Sequence, residues 1–255
     1  MFNQFTIIFG RQWQSYTIAL LLGIVLSFAW MVYRAPKNER TKTVDVCLSA
    51  LIGAVIVGRL LHVCLNWAFF VDRTDLIYEI HREGGLNWHG AVIGALVTGY
   101  LMARIRGIST QHLVKNAVIV LPFLSFVAYY ACATAGCAYG LPVERMADYP
   151  RWMTWIADDI YRLNMPRFAT QPLGMFGSGI LFILACLLYW RGWLIKTRFW
   201  LMLFLIALLS FGISFLRGDY ALEFSGLVIG QWLDLGLMLI AITLPIRALY
   251  NRIGS

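Results

Sequence analysis

The chain has little charge. Of 255 residues, 21 are Lys or Arg and 13 are Asp or Glu, so 13% are charged. An ordinary soluble domain carries about 25%, and that class is excluded. No charged residue stands between Lys115 and Glu144. The five cysteines form no CxxC pair, a spacing that argues against a metal site. Cys47, Cys64 and Cys186 sit in apolar segments, where cysteine behaves as a small hydrophobe. The opening MFNQFTIIFGRQWQ has neither the basic flank nor the small-residue cleavage site of a signal peptide, and reads as mature chain. Alternating apolar and polar residues are missing too, which argues against a membrane β-barrel. There is no internal repeat, low-complexity tract or long linker.

What is present is hydrophobic sequence: 60% of residues, with a mean hydropathy of +0.70. Apolar runs approach or pass the ~18–20 residues that span a bilayer. Seven are expected as helices: Ser15–Tyr33, Val44–Phe70, His89–Ile105, Ala117–Gly140, Leu173–Trp190, Phe199–Leu216 and Leu227–Ile246. The expected fold is therefore all-α, a polytopic bundle of seven transmembrane helices forming one integral membrane domain over residues 1–255. Pro122 and Gly136 are expected to kink the fourth helix.

Basic residues set the orientation. Arg34, Lys37, Arg40 and Lys42 follow the first span, and Arg104, Arg106 and Lys115 follow the third. Arg191, Lys196 and Arg198 follow the fifth, and Arg247 and Arg252 end the chain. These positions share one side, which places the N-terminus outside and the C-terminus in the cytoplasm. The formal charge of +8 is thus a topological signal, and a nucleic-acid partner is not needed to explain it. Two outer segments, about 71–88 and 141–172, are longer than turns. The second mixes Tyr149, Trp152, Trp155 and Tyr161 with Asp148, Arg151, Asp158, Asp159 and Arg162. That pattern suits a headgroup-level segment, with an interfacial helix expected around 151–163.

Polar residues at membrane depth are costly and point to function. His89 stands where Glu83–Trp88 meets an apolar run; it either satisfies a helix end or acts as acid, base or phosphate partner. Arg59 lies mid-way along the second span, with His62 one turn on. It either pairs with Asp234 or Asp45, or lines a polar cavity that receives a lipid phosphate. Arg217-Gly218-Asp219 is either an exposed turn or the holder of an anionic headgroup.

Several short pieces, in order along nearly the whole chain, carry a resemblance. They are Tyr16 with Gly23, Asp45 followed by Gly58-Arg59-Leu60, and Gly84-Gly85-Leu86-Asn87-Trp88-His89-Gly90. Further on stand Ala135-Gly136-Cys137-Ala138-Tyr139-Gly140 with Cys132, then Thr170-Gln171, Phe215-Leu216-Arg217-Gly218-Asp219 and Gly230-Gln231. Together they resemble the prolipoprotein diacylglyceryl transferase family, the His89 signature being the most specific match. The resemblance implies a seven-helix enzyme of the bacterial plasma (inner) membrane, with no metal and no cofactor. Its reaction moves diacylglyceryl from phosphatidylglycerol to the cysteine thiol of a prolipoprotein, so its partners are that lipid and prolipoprotein signal peptides. Carried over residue by residue, it implies His89 and Tyr16 as catalytic. It implies Arg59, Gly85, Asn87, Gly136, Gly140, Arg217 and Gln231 as substrate-binding. Arg59, His89 and Tyr16 are expected on one cavity open to the outer leaflet, with Arg217 or Asp234 on its wall.

The sequence also departs from the family. An arginine is expected about where Tyr129 or Tyr130 stands, and a polar residue near Cys132 or Ala135. An arginine is expected near Ser210, and glutamates where Ser214 and Gly174 stand. Three readings follow: a transferase of this lipid group, a membrane protein of the same fold that binds lipid or partners without chemistry, and a solute transporter using Arg59, His62 and Asp234. Against the last, no paired broken helices occur in matching halves.

Overall fold

The computed structural model describes residues 5–8, 11–80, 85–159, 161, 163–219 and 221–250. The described residues are mostly helical, preceded by two short paired strands, β1 (Phe5–Ile8) and β2 (Arg11–Gln14). The long helices are α1 (Ser15–Arg34), α2 (Arg40–Leu65), α3 (Trp88–Arg106), α4 (Thr110–Ala135), α5 (Thr170–Trp190), α6 (Arg198–Ser214) and α7 (Ile229–Tyr250). Each begins within a few residues of an expected span except α4, which starts seven residues earlier and ends five earlier than read. Four stretches are long and apolar enough to cross a membrane: residues 15–34, 37–65, 110–135 and 170–190. Leu21, Leu22, Val25 and Leu26 of α1 each leave more than half their surface exposed. A run of that kind suits lipid and would be an aggregation site in water. The protein is a multi-pass membrane protein.

The chain forms two compact units, residues 28–114 and residues 1–27 with 115–255. In the first, α2 lies antiparallel to α3 through small residues. Ser49 and Thr98 exchange side-chain-to-backbone hydrogen bonds, at 3.2 Å from Ser49 to the Thr98 carbonyl and 2.8 Å in return. A side chain on Gly53 or Gly94 would strike the other helix, so the backbones approach as small residues permit.

In the second unit α4 runs antiparallel to α5. Asn116 meets Tyr189, Phe123 meets Phe182, and Ser125 hydrogen-bonds Ser178 at 2.8 Å. The fully buried Arg198 donates to the carbonyls of Leu188 and Tyr189 at the end of α5 and to that of Lys115, with its guanidinium over the Tyr189 ring. A cation there complements the helix C-terminus and holds the turn into α6.

The expected interfacial helix over residues 151–163 is not formed. An antiparallel hairpin stands there instead, β3 (Thr154–Asp158) against β4 (Asn164–Phe168). Thr154, Trp155 and Ile156 are β-formers, and Pro166 lacks the N–H that a helix interior requires. Asp159 reverses the chain: its Oδ1 accepts from the N–H groups of Tyr161 and Leu163, at 2.8 and 3.0 Å, as Asx turns do. Its other oxygen takes Arg167 at 2.8 Å in a fully buried ion pair.

Candidate active site

The His89 motif opens α3. Asn87 is the N-cap, its Oδ1 accepting from the N–H of His89 (3.0 Å) and of Gly90 (3.3 Å), the standard use of asparagine at a helix start. The same oxygen lies 3.3 Å from Nδ1 of His89. His89 is buried at 3% exposure and packs on Trp88 at 4.1 Å between ring centroids.

Arg59 reaches this motif. It donates from Nε to the Ile77 carbonyl at 2.9 Å, from Nη2 to that of Leu76 at 2.7 Å and from Nη1 to that of Gly85 at 3.0 Å. The Phe70 ring lies 5.2 Å from its guanidinium carbon. Of the alternatives open to Arg59, the pair with Asp45 is not made, since Asp45 takes Arg106 at 2.6 Å. Position 85 needs glycine twice over: its φ of +81° is left-handed, and a Cβ would overlap the His62 ring. Arg59, Gly85, Asn87 and His89 thus form one connected group within residues 28–114. Glu83 and Gly84 of the motif lie outside the described residues.

The other expected residues lie in the second unit. Tyr16 is half-buried in the first turn of α1. Gly136, with φ +75°, ends α4, and the Cys137 N–H returns to the Cys132 carbonyl at 3.1 Å. This is a Schellman stop, and the same two cysteines are disulfide-bonded. The sequence reading missed that pair. Two cysteines five apart across a helix end, with glycine between, were the available signal. Residues 139–143 then run between β4 and the end of α6. Leu141 N–H donates to the Leu216 carbonyl at 2.8 Å, and Phe168 N–H to the Leu141 carbonyl at 3.0 Å. Gly140 has no room for a side chain against the Phe168 backbone. Thr170 and Gln171 fasten the strap below, donating to the carbonyls of Ala138 (2.6 Å) and Cys137 (2.9 Å).

Arg217 bridges to Gly140 through its backbone, and its guanidinium takes both oxygens of Asp219. Burial opposes the charge on Arg217, but the Asp219 bond and charge outweigh it and hold its pKa above the ordinary range. Gln231 is buried at 3% exposure; its Oε1 accepts from the Val228 N–H at 3.0 Å. Asp234, one turn on, is fully buried. At the departures, Ser214 donates to the Ser210 carbonyl at 2.8 Å within its own helix. The Tyr129 ring fills the space that a side chain on Gly174 would need.

A sequence model of the prolipoprotein diacylglyceryl transferase family matches residues 4–247. The chain belongs to that family. A phosphatidylglycerol–prolipoprotein diacylglyceryl transferase of Clostridium novyi is 28% identical over 249 residues, covering 94% of this chain and 93% of the relative. Relatives carrying the same name in Bacillus cereus (33% over 105 residues, 40% of this chain and 38% of the relative) and Clostridioides difficile (26% over 148 residues, 55% and 59%) match shorter stretches.

Proposed function

We propose that this chain is an enzyme transferring diacylglyceryl from phosphatidylglycerol to the cysteine thiol of a prolipoprotein. The observation that carries the reading is the family match over residues 4–247 together with His89 anchored by Asn87 at the head of α3. The thiolate sulfur bonds to a glycerol carbon, the carbon–oxygen ester bond breaks, and the electron pair leaves on glycerol phosphate. His89 takes the thiol proton on Nε2, the usual work of an imidazole beside a nucleophile. Tyr16 donates a hydrogen bond to the reacting group. Arg59 and Arg217 supply positive potential to the leaving phosphate. Gly85, Asn87, Gly136 and Gly140 shape the backbone around the lipid, and Gln231 contacts it.

The proposal extends to the whole chain as one membrane domain of seven spans. The N-terminus is outside, and segments about 71–88 and 141–172 lie at the outer interface of a bacterial plasma (inner) membrane. The acceptor is a prolipoprotein signal peptide. The test is mass-spectrometric detection of diacylglyceryl on a lipobox peptide, using purified protein and phosphatidylglycerol vesicles. Wild type forms product, and His89→Ala lowers the rate by about 100-fold or more, the scale of a lost general base. Product at background with wild type overturns the reading.

A further inference from the structure

We infer that the trough between α2 and α3 seats one phospholipid whose head carries both a phosphate and an ammonium, at the end of these helices remote from His89. The starting observation is a cavity of about 360 Å³ lined wholly by residues of the 28–114 unit, within the size range of small-molecule sites. Gly53 lies on its floor, where a side chain would strike Thr98. Leu48, Ile52 and Ile56 stand along it, each with about half of its surface exposed, so the trough opens sideways. The hydroxyls of Ser49 and Thr98 are committed to backbone carbonyls. Between its ends the trough therefore offers apolar wall, which suits hydrocarbon and holds no polar solute. Its length fits an acyl chain. From Asp45 to Val57 the lining covers twelve steps of α2, about 18 Å. One leaflet holds ~15 Å of hydrocarbon, half of a ~30 Å core.

The charged end of the trough selects the head. Arg106 Nη2 meets Asp45 Oδ2 at 2.6 Å, and the two side chains keep 48% and 27% of their surface accessible. Neither makes another polar side-chain contact among the described residues, so one carboxylate oxygen and most of the guanidinium fork remain for a ligand. A phosphate taken by Arg106 and an ammonium taken by Asp45 extend the pair into a ring of alternating charge. A head that is only anionic, as in phosphatidylglycerol, brings no cation and is repelled by Asp45. A trimethylammonium head has no N–H to donate to the carboxylate. Phosphatidylethanolamine has both groups. The pair closes α3 at Arg106, seventeen residues from His89, or about 26 Å along the helix. That is most of a hydrocarbon core, so this lipid and the proposed transfer occupy opposite faces of the membrane, and neither depends on the other.

The experiment is native mass spectrometry of the full chain in detergent with equimolar phosphatidylethanolamine and phosphatidylcholine of identical acyl chains. Wild type retains phosphatidylethanolamine in preference, and an equal amount of phosphatidylglycerol leaves it bound. Asp45→Asn lowers the preference about five-fold, the upper effect of one part-exposed ion pair, whereas Asp45→Glu keeps it. Ile52→Trp, at an exposed position whose larger ring closes the trough, lowers the retained phosphatidylethanolamine by a similar factor without disturbing the helix contact. Equal retention of the two zwitterionic lipids, as a plain shell of bilayer lipid gives, overturns the inference. So does displacement by phosphatidylglycerol, a preference unchanged in Asp45→Asn or lost equally in Asp45→Glu, or retention unchanged in Ile52→Trp.

Discussion

At the scale of single residues, Arg59 shows how a buried charge can be read correctly as to place and incompletely as to partner. Its position marks it from sequence alone. Among the described residues it donates to three backbone carbonyls, and backbone oxygens have no sequence signature. The sequence therefore offered only carboxylates and phosphate. The geometry makes a direct prediction. Lysine keeps the charge of Arg59 but has no planar fork, so Arg59→Lys strands carbonyls at a cost of about 1–3 kcal/mol each. Thermal unfolding in detergent should show Arg59→Lys destabilised almost as far as Arg59→Ala. A lysine variant as stable as wild type would mean that charge alone is what Arg59 supplies. Gly85→Ala tests the neighbouring constraint. It combines a disfavoured φ with overlap on His62 and should lower the unfolding midpoint further than an alanine at Gly192, which also has positive φ but open space around it.

At the scale of elements, the helices were legible because long apolar runs can satisfy their backbone groups in lipid only as helices. The segment over residues 151–163 was misread because aromatic residues mixed with charges fit an interfacial helix and a hairpin equally well in composition. The Asx turn at Asp159 and its pairing with Arg167 decide the matter, and both depend on residues brought together by folding. The Cys132–Cys137 disulfide was missed for a similar reason: the fourth helix was read through to Gly140, whereas it stops at Ala135 and the bond closes across that stop. A loop this short contributes about 2 kcal/mol by restricting the unfolded chain. The double variant Cys132→Ser with Cys137→Ser should lose that amount in denaturant unfolding, and reductant should remove the same amount from wild type. Equal stability of all three samples would show that the stop holds without the bond. The Tyr129–Gly174 contact explains the departure at Gly174. The resemblance leads one to expect a glutamate at Gly174, and here the Tyr129 ring leaves it no room.

At the scale of the whole molecule, the decisive quantity is the distribution of charge between the two sides of the membrane. The four lysines, Lys37, Lys42, Lys115 and Lys196, all fall in connections assigned to the cytoplasm, together with Arg34, Arg40, Arg104, Arg106, Arg191 and Arg198. Glu39 and Asp45 are the only acids among them, and Asp45 is held by Arg106. Acids weigh little in this rule, so the ten cations govern. The opposite connections carry the hairpin and the Arg217–Asp219 turn, where arginine is balanced by aspartate. Two positions separate this topology from its inverse. Asn38 lies in the short turn between α1 and α2, and Arg151 in the exposed turn before β3. In a background without the native cysteines, a membrane-impermeant thiol reagent added to intact cells should label Arg151→Cys. It should reach Asn38→Cys only after the membrane is opened. The reverse pattern would put His89 and the Arg217 turn on the cytoplasmic side, where a prolipoprotein cysteine delivered across the membrane could not meet them, and the orientation and the proposed reaction would fall together.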